Sequence, residues 1–189
     1  TEVALANSLG MDVVITDHHR PHDTLPEAVA VVDAWQQDCP SRFKDLCGAG
    51  VVLKLLTALE DGDEDAVFAE YADLAALGTI GDIVSLKGEN RTIIRAGLSA
   101  IASGGRPGLD ALVRLSGVNA GSLSAGTVAF TLVPRINAVG RMGEPWRAVR
   151  LRTREYHEGA ERRAAEGRKE NDKRRKGEAA LAGAGCAQI

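Results

Sequence analysis

The sequence predicts an α/β fold, a parallel sheet flanked by helices and followed by a long charged helix. Three observations carry that prediction. Two short β-branched runs, Val13-Val14-Ile15-Thr16 and Ala28-Val29-Ala30-Val31-Val32, have the continuous apolar character of buried parallel strands. Apolar residues then recur at helical spacing in several separate segments. Residues 147–178 are charged along most of their length. Strands mixed with helices make a parallel sheet the default arrangement.

Taken in order, residues 2–9 read as a helix. Val13 to Thr16 is the first strand, and the polar stretch Asp17 to Pro26 is a loop in which Pro21 and Pro26 block regular structure. The second strand follows and ends on Asp33, and residues 34–47 read as irregular and exposed. A helix over Ala49 to Leu59 is closed by Glu60-Asp61-Gly62-Asp63. Residues 64–80 form an alanine- and leucine-rich helix that runs into a Gly78-Thr79-Ile80-Gly81-Asp82 turn. Glu89-Asn90-Arg91 opens the next helix, which ends at Ser103 before Gly104-Gly105, and Pro107 begins a short helix to Ser116. Ser122 to Leu132 reads as helical and Pro134 to Gly143 as a loop. The charged helix over 147–178 has a possible break near Thr153.

Composition removes several function classes. Of 189 residues 44% are hydrophobic and 26% charged, near the globular average, which sets aside wholesale disorder. No apolar run approaches the roughly 18 residues that a membrane span needs. The start, Thr1-Glu2-Val3-Ala4, reads as helix interior and not as a signal peptide, so the chain is expected to begin inside a longer protein. Cys39, Cys47 and Cys186 are odd in number with no CxxC pair, which favours reduced thiols and a cytoplasmic setting over a disulfide framework or structural zinc.

The net charge of −3 hides a division. Residues 1–133 carry 9 basic and 18 acidic side chains, whereas residues 134–189 carry 14 basic and 8 acidic. The basic segment suits a phosphate backbone, and equally a solvated helix of mixed charge.

Chemistry begins at Asp17-His18-His19. In open α/β sheets ligands bind at the carboxyl ends of strands, where this tripeptide falls. If strand geometry persists, His18 and His19 point to opposite sides, so one imidazole can ligate a metal while the other faces substrate. Asp17 can then orient a ring by accepting its N–H. Solvated loop histidines are the plainer alternative. Asp82, in an apolar context, is expected to be buried and to need a cation or strong donors; a helix-capping role also fits.

With these residues in hand, the chain resembles the DHH phosphoesterases, whose signature is met in Val14-Ile15-Thr16-Asp17-His18-His19. Three further blocks resemble one branch, the RecJ single-strand-specific 5′→3′ DNA exonucleases. They are Asp45-Leu46-Cys47-Gly48-Ala49-Gly50-Val51, then Leu77-Gly78-Thr79-Ile80-Gly81-Asp82-Ile83-Val84 with Glu89-Asn90-Arg91, and Pro134-Arg135-Ile136-Asn137-Ala138-Val139-Gly140-Arg141-Met142. The resemblance covers about residues 1–178.

The resemblance implies a two-metal phosphodiesterase of DNA repair and recombination, run on a divalent metal, usually manganese, with magnesium the alternative. It implies His18 and Asp82 as metal ligands, His19 facing the scissile phosphate and Asp17 as a close partner of the metal. Arg135, Asn137 and Arg141 become substrate-binding candidates: two arginines six residues apart can grip phosphate, unless they pair with the chain's own acids. The implied partner is single-stranded DNA, with a single-strand-binding protein by family analogy and no membrane.

In domain terms, residues 1–146 are expected to be the C-terminal portion of an incomplete DHH catalytic domain. Residues 147–178 are the connecting helix and 179–189 an atypical tail. The family's Asp-x-Asp block, a further strand-borne Asp and the DHH-associated domain have no counterpart here, and Ala34-Trp35 departs from the usual Pro and polar residue. Negligible activity is therefore expected of these residues alone. Another DHH hydrolase, acting on short oligonucleotides or cyclic dinucleotides, and a non-catalytic nucleic-acid-binding scaffold are the other readings.

Overall fold

A computed structural model of the chain describes residues 1–141, 149, 165–166 and 168–176. The chain divides into two compact units, Thr1–Gly97 and Leu98–Ile189.

In the first unit, helix α1 (Glu2–Ser8) begins at Thr1, whose hydroxyl accepts the Ala4 N–H at 3.3 Å. Strands β1 (Val14–Thr16) and β2 (Ala30–Val32) pair in parallel, with Val14 opposite Ala30 and Thr16 opposite Val32. The Asp17 N–H extends the ladder by donating to the Val32 carbonyl at 3.0 Å. The strands lie where the β-branched runs placed them, but they are not buried. Val14 and Val32 face solvent, and Ile15 and Val31 are half-buried. Burying a parallel sheet takes a layer on each face, and among the described elements α2 is the one substantially packed on β1.

Helix α2 (Gly48–Leu59) is capped by Cys47, whose sulfur accepts the Gly50 N–H at 3.4 Å. Asp63 caps α3 (Glu64–Gly81) by accepting from Ala66 at 2.9 Å, and Glu64 and Asp65 add negative charge to its first turn. The core forms where α2 meets α3: Leu46, Val51, Leu53, Val67, Ala75 and Ile93 are buried there, with Phe43, Leu56 and Phe68 at its margin. Gly97 on α4 (Gly88–Ser103) makes the next approach close, since a Cβ at that position would lie 2.3 Å from the Ala72 carbonyl oxygen.

The expected turn at Gly78–Gly81 is instead the last turn of α3, with Asp82 as its C-cap. Ile83 then takes a positive φ of 58° and stands 89% exposed. That reversal carries the chain out of the apolar layer, so Asp82 is 41% exposed at its side chain where burial was expected.

In the second unit, α5 (Pro107–Ser116) starts on proline and stops at Gly117, whose φ of 72° suits glycine. A 3-10 turn (Ala120–Ser122) and α6 (Ala125–Thr127) lead into a π turn (Val128–Leu132) and then α7 (Val133–Arg141). The loop expected from Pro134 is thus helix through residue 141. The widened π turn puts Pro134 second in a fresh α-helical segment, where a missing N–H does little harm. Residues 168–176 are helical, within the charged helix expected from the sequence. The possible break at Thr153, the boundary at 146 and the tail 179–189 lie outside the described residues.

Candidate metal centre

β1 ends at Thr16, and the next three residues form the site. One oxygen of Asp17, Oδ1, accepts the His18 N–H at 2.7 Å and the His19 N–H at 3.1 Å. The same oxygen lies 2.7 Å from His19 Nδ1. An ionised carboxylate can only accept, so Nδ1 donates in this contact and Nε2 is left for another partner. The hydrogen bonds from His19 hold the Asp17 carboxyl below its ordinary value of 3.8, which keeps it anionic.

The strand alternation stops before the histidines. Their ring centroids are 4.1 Å apart with planes tilted by 42°, so the two imidazoles are neighbours and not on opposite sides. The strand ends at Thr16, and the Asp17 carboxylate gathers the His18 and His19 N–H groups in place of pleated backbone, with a bend at His19. Ligand atoms of Asp17, His18 and His19 all lie within 4.8 Å of one another.

Asp82 completes the cluster from the end of α3. Its Oδ2 lies 3.5 Å from His18 Nδ1. The His18 ring lies against the start of α2: a Cβ on Gly48 would sit 3.4 Å from the imidazole Cδ2, about van der Waals contact. Sequence reasoning quoted Gly48 within a block and gave it no part. Asn90, fully buried, donates to the Asp45 carbonyl at 2.6 Å and the Ser85 carbonyl at 2.9 Å. It ties together the segments that lead into α2 and out of Asp82.

Two carboxylates and two imidazoles are the donor set of a hard or borderline divalent cation, with metal–ligand bonds of about 2.0–2.2 Å. Asp17, His18 and His19 have ligand atoms within 4.8 Å of one another, and Asp82 lies 3.5 Å from His18, a grouping that fits a single cation.

The three phosphate-binding candidates belong to the second unit, on α7. Arg135 donates to the Thr131 carbonyl of its own helix, and its Nε is buried without a hydrogen-bond partner among the described residues. Burial, and then the charge of Arg168, lower its guanidinium from the ordinary value, with Asp172 opposing them. Asn137 is exposed. Arg141 ends the helix, and its side chain is outside the described residues.

The model of the DHH family, N-terminal domain, matches residues 1–79, which include Asp17-His18-His19. The single-stranded-DNA-specific exonuclease RecJ of Bacillus subtilis (strain 168) is 44% identical over 175 residues, covering 93% of this chain and 22% of that protein. A crystal structure of exonuclease RecJ bound to manganese superposes with a TM-score of 0.83 at 36% identity, covering 95% of this chain and 45% of the other. The Mn2+ complex of RecJ from Thermus thermophilus gives 0.81 at 36% identity, with 94% and 27% covered. The chain therefore spans about a fifth of the length of its Bacillus relative. Signature, fold and relatives point the same way: residues 1–79 match the DHH family, N-terminal domain, and the chain is similar to the RecJ exonucleases over most of its length.

Proposed function

We propose that this chain carries part of the catalytic centre of a RecJ-type exonuclease, a manganese- or magnesium-dependent phosphodiesterase acting on single-stranded DNA in the cytoplasm. The observation that carries the reading is the convergence of Asp17-His18-His19 on Asp82, with His18 and Asp82 3.5 Å apart. Relatives that are RecJ exonucleases, two of them with Mn2+ in their structures, support the choice of substrate and metal.

His18 and Asp82 hold the cation, with Asp17 beside it. Asp17 also fixes the His19 tautomer, so that His19 presents Nε2 toward the scissile phosphate. A bound divalent cation supplies neutralisation of the charge that builds on the phosphoryl oxygens. Arg135, Asn137 and Arg141 on α7 bind the phosphate backbone. Arg135 supports that role with Arg168 and Arg175 as electrostatic neighbours, their positive charge partly offset by Asp172. This unit, with the charged helix behind it, distinguishes the reading from a hydrolase of short or cyclic nucleotides.

Domain roles follow: residues 1–146 as catalytic portion, 147–178 as connecting helix. His18 and Asp82, with Asp17 beside them, are donors enough for one cation and not two, so residues 1–189 by themselves turn over negligibly. A manganese-dependent nuclease assay on a 5′-phosphorylated single strand tests this. The expected result is no digestion above a metal-free control; robust turnover by the purified chain contradicts it.

A further inference from the structure

Next to the metal cluster, the loop after β2 holds Trp35 in a defined position. Asp33, 4% exposed, accepts the Trp35 N–H at 2.8 Å, and Gln36 reaches back to the Val31 carbonyl of β2 at 2.7 Å. Lys44 binds the carbonyls of Ala34 and Cys39, drawing the loop closed on both sides of the indole. The Arg20 guanidinium lies 3.9 Å over the Trp35 ring, the distance of a stacked cation–π pair. Both side chains line a cavity of about 660 Å³.

That cavity adjoins the metal cluster. A second one, of about 720 Å³, contains Asp17 and His19, and the two share Arg20, Pro21, His22 and Leu25 as a common wall. Arg20 follows His19 directly in the chain. The chemistry of the Trp35 cavity is that of a base site and not a phosphate site. Asp23 and Asp38 line it and repel an anion, whereas an indole and a guanidinium plane both stack on neutral heterocycles.

We infer that Trp35 and Arg20 form a stacking subsite for a nucleobase of the single strand, one step away from the Asp17–His19 cluster. This rests on the proposed action on single-stranded DNA and adds where a base is gripped. Neither residue touches the scissile phosphate; they position the strand. Stacking tolerates every base, so the subsite selects for the presence of a base and not for its identity.

The test is binding to the whole chain in EDTA, without metal, so that cleavage plays no part. The probes are a 5′-phosphorylated oligothymidylate and an abasic oligomer of equal length and charge. Wild type is expected to prefer the thymidylate, and Trp35→Ala to weaken that binding by roughly 5- to 100-fold, toward the abasic level, as loss of one stacked base does. Trp35→Phe, which keeps a ring and guards against a folding defect, is expected to retain most of the preference. In a Trp146→Phe background the remaining indole fluorescence should be quenched by the thymidylate and not by the abasic strand. If wild type binds thymidylate and Trp35→Ala binds it equally well, the subsite is wrong while the single-strand reading stands. If wild type binds neither oligomer, both fail.

Discussion

At the scale of single residues the centre depends on one carboxylate oxygen. Asp17 Oδ1 receives two backbone N–H groups and the His19 ring, and the bonds from His19 depress its titration. Since the folded value lies below the unfolded one, the stabilisation is present above the ordinary value of 3.8 and is lost as pH falls through the lowered value. His19→Ala removes the ring hydrogen bond that lowers it most, so the Asp17 carboxyl should titrate closer to 3.8, as followed by carbon NMR of the side chain; an unchanged titration would show that His19 is not its partner. The tripeptide was legible in sequence because ligand-type residues follow a β-branched run. The side-by-side arrangement of His18 and His19 was not legible, because it comes from hydrogen bonds of Asp17 to the next two residues, and strand alternation does not encode them. Gly48 was likewise silent: its meaning is the nearness of His18, thirty residues away in the chain.

At the scale of elements, α3 brings Asp82 to the site, and close helix packing fixes where α3 lies. Gly97 on α4 meets Ala72 and Ala76 of α3 with no room for a methyl group. Gly97→Ala should therefore cost about 1–3 kcal/mol through overpacking, seen as a lower urea midpoint. A neutral substitution would mean that α3 and α4 separate without penalty. The helices read well from the sequence: α2, α4 and α5 begin and end within a residue of their expected bounds, set by Gly88, Pro107 and Gly117. Pro134 misled because proline ordinarily breaks a helix, and the π turn over Val128–Leu132 that accommodates it has no simple sequence mark. Apolar content also overstated burial of β1 and β2, since a run of valines does not say how many layers cover it.

At the scale of the whole chain, charge is divided along the sequence, an acidic first part with the Asp-His-His cluster and a basic last part with the arginines. If α7 meets phosphate, single-strand affinity should fall steeply with salt, and Arg135→Ala should make the log–log slope shallower by about 0.7, one contact's worth. An unaltered slope would remove Arg135 from the interface. No described helix is long and apolar enough to cross a membrane. On the proposed reading His18, Asp82 and Asp17 jointly hold one divalent cation. Titrating Mn2+ into the chain and following the free ion by electron paramagnetic resonance tests that claim most directly. One ion per chain is predicted, with affinity reduced at least roughly tenfold in His18→Ala and in Asp82→Ala; undiminished binding in both folded variants would contradict it.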